Sequence, residues 1–214
     1  ALSDFEVAAA HMTVTESARL DGKIGDIYHR LGNLALAARH FETALADPSL
    51  ALSWRCRFLA ESSLVAAQSG DHEVARRLAQ ESLEVAATLA DPLELAVSHN
   101  LLSILARHAE DAAEAVAQAE RSLTYAELSE SQAARVAALN NLAMAHAADG
   151  AYGEAIALSQ EALDMSIALG DRHHAAALHN HLADYSHAVG DQKQANSQLK
   201  KAVRLFAEIS ADGL

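Results

Sequence analysis

The sequence predicts an all-α fold, a solenoid of about five helix pairs with an additional N-terminal helix. Three observations predict it. Strong helix formers dominate: about 50 of the 214 residues are alanine, only two are proline, and aromatic residues make up 4%. The chain resembles itself at a shift of 40 residues. Within each copy a turn residue, an alanine and a second small residue recur at fixed spacing.

The segments beginning at His99, Leu139 and His179 align without gaps, and a further copy begins at Leu59. An earlier copy, KIGDIYHRLGNLALAARHFETAL, lies 38 residues before that one. The turn inside each pair falls at Gly32, Gly70, Glu110, Gly150 and Gly190. Glycine there ends a helix in a left-handed conformation that other residues resist. Five residues on stand Ala37, Ala75, Ala115, Ala155 and Ala195. Seven residues before the turn stand Gly25, Ser63, Ser103, Ala143 and Ala183. Antiparallel helices approach closely only where such side chains are small. Leu45, Leu83, Leu123, Leu163 and Val203 supply the bulk between pairs.

These spacings fit an amphipathic period of 3.6. They predict first helices near 18–31, 51–69, 93–109, 132–149 and 172–189, and second helices near 34–46, 72–90, 111–128, 152–169 and 192–209. Residues 3–19 are expected to form the N-terminal helix, a cap or half of a truncated repeat. The expected organisation is one domain over 1–214, with repeats at about 18–49, 50–91, 92–130, 131–170 and 171–210.

This pattern resembles the tetratricopeptide repeat (TPR) family over about residues 18–209, and the resemblance implies a right-handed α–α superhelix. The period is longer than the standard 34 residues. It is similar to the long variants of kinesin light chains, spindle-orientation adaptors and bacterial regulators, where such arrays often follow a DNA- or nucleotide-binding domain. There are departures. Trp54 lies outside the place of the family's early tryptophan, tyrosine appears only as Tyr28, and Glu110 replaces a turn glycine.

The resemblance implies that first helices line a concave, ligand-binding side. There Asn100, Asn140 and Asn180 occupy one place in three successive copies, with Asn141 beside the second. Asparagine is a poor mid-helix residue, so the recurrence asks for a reason. A ladder of amides could hold the backbone of an extended peptide, with Leu64, Ile104 and Met144 as apolar pockets. Equally, the asparagines could bond across to neighbouring helices and set register. Asp26, His29 and Arg30, Arg107 and His108, and Asp184 and His187 are charged positions along this face. They would either select ligand charges or form a solvated rim.

Other chemistry is weakly signalled. The net charge of −13 argues against nucleic acid and anionic membranes as partners. Lys193, Lys200, Lys201 and Arg204 read as a solvated helix face. No apolar run approaches a membrane span, and residues 1–20 lack a signal-peptide pattern. The chain begins at Ala1, as a trimmed piece of a longer protein would. A single cysteine, Cys56, allows no internal disulfide and fits a reducing, cytoplasmic setting. Arg55 and Arg57 could activate that thiol. Of the 12 histidines, His173, His174, His179 and His181 cluster, but their spacing does not suit a helical metal pair. They read as polar fillers at helix surfaces. No nucleophile elbow or phosphate loop is present. The expectation is a non-enzymatic module without cofactor or metal that binds a protein or peptide. It would be a sensory or scaffolding part of a larger bacterial regulator. The alternative is a homodimer through Leu199, Val203, Phe206 and Ile209 of the last helix.

Overall fold

A computed structural model describes residues 14–212 of the chain. Ten helices follow one another with no strand among the described residues. They are α1 (Val14–Arg30), α2 (Leu34–Ala46), α3 (Leu52–Gln68), α4 (His72–Leu89), α5 (Pro92–His108), α6 (Ala112–Leu128), α7 (Gln132–Ala148), α8 (Tyr152–Ala168), α9 (Arg172–Ala188) and α10 (Gln192–Asp212). The helices fall into two compact units that divide between Leu105 and Ala106.

The helices lie where the spacing predicts, with one difference at the start. α1 is described from Val14, and neither glycine nor proline interrupts residues 14–20. Residues 14–19 of the expected N-terminal helix thus belong to α1, and residues 3–13 lie outside the described residues.

The turns explain the fixed spacing. At Gly70 the Gly70 N–H donates to Ala67 O (3.1 Å) and the Asp71 N–H to Ala66 O (2.9 Å). This is a Schellman closure, which satisfies carbonyls that the helix end leaves free. Gly150 and Gly190 repeat it, with Ala151 N–H donating to His146 O and Asp191 N–H to Ser186 O, both at 2.9 Å. Glu110 makes the same closure at φ +59°, so the copy without glycine follows the others at a conformational cost. The next residue then opens the following helix: Asp111 Oδ1 accepts from Glu114 N–H at 3.1 Å.

Small residues set the pairing. Ala37, Ala75, Ala115 and Ala155 have no exposed surface at all. In unit 1, Ser63 Oγ donates to Ala75 O at 2.7 Å, so α3 and α4 meet with no bulk between them. The Phe41 ring of α2 lies 3.0 Å from where a Cβ on Gly25 would stand. The core of unit 1 gathers Ala18, Phe41, Leu50, Phe58 and Val65, with the Phe41 and Phe58 rings 6.0 Å apart. In unit 2, Val136, Leu139, Leu163, Leu178 and Leu182 pack between α7, α8 and α9. The bulky positions between pairs are half-buried or buried, except Val203, which is 60% exposed.

Small buried polar groups also join helices of unit 1. Ser82 Oγ donates to Cys56 O at 3.1 Å and lies 3.1 Å from Ser98 Oγ. Cys56 Sγ donates to Ser82 O at 3.4 Å. The thiol is 1% exposed, and burial pushes its pKa up. Arg55 turns away to Leu45 O and Asp47 O, so it does not activate the thiol.

Glu110→Gly should stabilise the protein by about 1 kcal/mol, because it relieves a left-handed residue with an exposed side chain. Urea unfolding checks this, and a loss of stability would contradict the strain assigned to the turn.

Candidate ligand-binding face

The first helix of each pair carries the candidate residues in one register. α5, α7 and α9 are each 17 residues long, and Asn100, Asn140 and Asn180 are the ninth residue of each. All three are half-buried. Asn141 is 4% exposed, because the next position of the helix turns into the unit's interior. It is therefore removed from the candidate surface.

In unit 2, Asn140 Oδ1 lies 2.9 Å from His181 Nδ1 of α9. An amide carbonyl only accepts, so His181 holds its proton on Nδ1. Part of Asn140 thus ties neighbouring first helices together. Its Nδ2 meets only the Met144 sulfur, at 4.0 Å, which leaves the donor available. Asn180 Nδ2 donates to Asp184 Oδ2 at 3.4 Å, and Asp184 is exposed. His181 stacks on Tyr185 at 6.1 Å, and Tyr152 of α8, the second helix of the preceding pair, lies 6.4 Å from Tyr185.

Arg107 adds a cation to this cluster. It is half-buried, and among the described residues no carboxylate pairs with it. Its Nε is buried without a hydrogen-bond partner. Burial lowers the Arg107 pKa, though a deprotonated guanidine is not reached at neutral pH. Burial also pushes Tyr185 up to about 12, against the opposing pull of Arg107. The phenol therefore stays protonated and able to donate. Burial lowers His181; Asp184 opposes this, and Arg107 reinforces it.

In unit 1, Asn100 and Ile104 of α5 and Leu64 of α3 are half-buried, and Leu64 also packs on the Ala60, Ala75 and Leu101 cluster. The charged positions are largely committed to each other. His29 lies 3.3 Å from Glu61 and 3.2 Å from Gln68, and Arg30 bonds Asp26 at 3.1 Å.

The histidine cluster of α9 disperses. His174 bonds Asp171, His179 bonds Gln198 at 2.7 Å, and His181 bonds Asn140. His179 is 6% exposed and His99 7%, so these two are core residues and not surface fillers. Among the described residues no three His, Cys, Asp or Glu side chains gather as a metal site would require. No helix among them is long and apolar enough to cross a membrane. His181 and Tyr185 carry no signal in the sequence beyond their type. Neither does a second grouping, in which Arg19, Lys23 and Arg57 surround Trp54 in unit 1.

The His181 shift has a defined pH consequence. Its folded pKa lies below the ordinary 6.5, so the unfolded chain takes up the proton first as pH falls. His179 is shifted in the same direction. Stability is held above about pH 6.5 and lost below it. Urea unfolding at about pH 7.5 and about pH 5.5 should show a smaller loss in His181→Gln than in the unaltered chain. Equal losses would contradict the assignment.

Comparison with known proteins places the fold. Residues 135–208 match the family model described as tetratricopeptide repeat. No curated protein sequence matches the chain. Among solved structures, a Rap protein complexed with Competence and Sporulation Factor is similar at TM-score 0.82 and 16% identity, over 98% of this chain and 60% of that one. A Pyrococcus horikoshii signal transduction ATPase of the STAND type, with a tetratricopeptide repeat sensor, is similar at TM-score 0.78 and 18% identity. That match covers 92% of this chain and 31% of the ATPase. Nearly identical TPR-like repeats of a kinesin light chain-like protein from Podosopora anserina are similar at TM-score 0.72 and 19% identity, over 94% of this chain and 100% of that one. The chain thus spans about a third of the ATPase and three fifths of the Rap protein. At these identities the likeness shows the fold alone. Residues 135–208 match the tetratricopeptide repeat model, and the chain has the all-α helix-pair fold of TPR-like repeat proteins.

Proposed function

We propose that the chain is a binding module whose first-helix face holds an extended protein or peptide segment, as a sensory or scaffolding part of a larger cytoplasmic regulatory protein of bacterial type. The observation that carries this reading is Arg107, a half-buried guanidinium with an unsatisfied Nε and no acidic partner among the described residues. A buried polar group without a partner is costly, and a ligand carbonyl or carboxylate would relieve it. Around it, Asn140 and Asn180 are only partly satisfied, and Met144 offers an apolar contact. In unit 1, Asn100, Leu64 and Ile104 present the same residue types in the same register. The named function of the tetratricopeptide repeat sensor in the STAND ATPase, and the Rap protein's complex with a factor, support the same class of role. Binding, and not catalysis, is the chemistry these residues offer: amide and guanidinium donors beside apolar pockets, with no nucleophile and base in hydrogen-bond reach among them.

The test is a peptide array followed by calorimetry on the best binder. Asn180→Ala should weaken binding by about 0.5–1.5 kcal/mol with little change in thermal stability, and Asn140→Ala should weaken binding by a similar amount while also losing about 1 kcal/mol of stability with its His181 hydrogen bond. Unchanged affinity with lowered stability would overturn the reading and leave the asparagines as packing residues.

A second reading rests on α10. Leu199, Val203 and Phe206 are 46%, 60% and 46% exposed along one helix face, and Ile209 continues it half-buried. Apolar residues contiguous at helical spacing suit a symmetric dimer. Light scattering at high micromolar concentration should then report a dimer that Phe206→Asp dissociates. A monomer in both cases rejects self-association.

A further inference from the structure

Three cationic side chains of unit 1 converge on one indole. On α1, Arg19 and Lys23 stand one turn apart; on α3, Arg57 lies three residues after Trp54. Arg19 Cζ, Lys23 Nζ and Arg57 Cζ lie 5.8, 5.5 and 5.8 Å from the ring centroid. Each contact alone is an ordinary cation–π pair. Together they place three like charges around one ring in a chain whose net charge is −13.

The approach depends on Gly22. A Cβ there would lie 2.1 Å from the Phe58 ring, so only glycine lets α1 close on α3 at this point. The closure leaves a cleft of about 210 Å³, with Ile27, Trp54 and Phe58 as its apolar lining, Lys23 and Arg57 as its cations and Asp26 and Glu61 as its carboxylates; Arg19 stands beside it, over the same indole. Neutralisation is incomplete. Asp26 lies 3.9 Å from Arg57 but bonds Arg30 at 3.1 Å, and Glu61 faces His29 at 3.3 Å. Among the described residues no carboxylate pairs with Arg19 or Lys23.

We propose that the Trp54 cleft binds an acidic side chain of a bound protein segment, with an apolar neighbour of that side chain against the indole. This deepens the peptide-binding reading and rests on it. Charge complementarity favours this occupant: elsewhere the acidic chain repels an acidic ligand, whereas here Arg19 and Lys23 are unpaired beside apolar side chains, and the lining carboxylates Asp26 and Glu61 are engaged by Arg30 and His29. Arg19 and Lys23 supply charge-assisted hydrogen bonds to the ligand carboxylate, and Arg57 remains shared with Asp26.

Trp54 is the only tryptophan, so its fluorescence reports this cleft alone. The full chain is titrated with the end-blocked peptide Glu-Glu-Leu-Glu-Glu, with its glutamine counterpart, and with inorganic phosphate. The expected result is a saturable change in emission with the acidic peptide only. Arg19→Gln with Lys23→Gln should weaken it about tenfold, and added salt should weaken it as well. Both replaced residues are exposed, so the variant keeps its fold, and its unfolding curve verifies this. The proposal is overturned by no saturable change, by an equal response to the glutamine peptide, by an equal response to phosphate, or by an undiminished response in the double variant. The Asn140 and Asn180 variants lie in unit 2 and leave this signal unchanged, so failure here is distinguishable from failure of the wider peptide-binding reading.

Discussion

The close approach of two antiparallel helices at a side chain no larger than alanine is the constraint from which the other features follow. Ala75 and Ser63 show how tight it is: a serine hydroxyl on one helix reaches a backbone carbonyl on the other at 2.7 Å. A larger residue would force the pair apart and open its core, because interiors packed at crystal-like density absorb added methylenes poorly. The turn is part of the same constraint. The Schellman closure at Gly70, Gly150 and Gly190 reverses the chain in so few residues that the following helix begins at once. Pair geometry is therefore repeated nearly unchanged, and a residue type at one helix position recurs on one face.

That repetition brings one residue type to the same helix position in successive pairs by short-range rules. The ninth residue of α5, α7 and α9 is asparagine each time, and each lies half-buried. The two ends of Asn140 differ: the carbonyl side joins α7 to His181 of α9, and the amide side stays nearly unengaged. A side chain with both a donor and an acceptor can pack at one end and keep bonding capacity at the other. Arg107, His181 and Tyr185 then set the electrostatics. Burial holds His181 neutral and Tyr185 protonated, so the charge of the cluster rests on Arg107 and the exposed Asp184.

Charge is distributed unevenly along an acidic chain. Carboxylates dominate its total, yet Arg19, Lys23 and Arg57 meet over Trp54 because Gly22 admits Phe58. The same principle that makes alanine necessary inside each pair, absence of side-chain bulk at a contact, here operates between first helices. It gathers three surface cations around one indole.

Period, turns and the small residues at pair contacts were determined by the sequence itself, because each depends on residues close together in the chain. The same is true of the shared register of Asn100, Asn140 and Asn180. Even Glu110, a departure from the glycine pattern, occupies the conformation that the pattern implies. What the tertiary structure decided was which side chains meet across helices. Asn141 sits beside Asn140 in sequence but turns inward, His179 becomes a core residue bonded to Gln198, and Cys56 is buried away from the arginines beside it. The unsatisfied Nε of Arg107 and the ring of cations at Trp54 belong to the same class. Periodicity specifies the direction of a side chain from its own helix axis. Its neighbours depend on the packing of a second helix, whose offset is set by contacts far away along the chain.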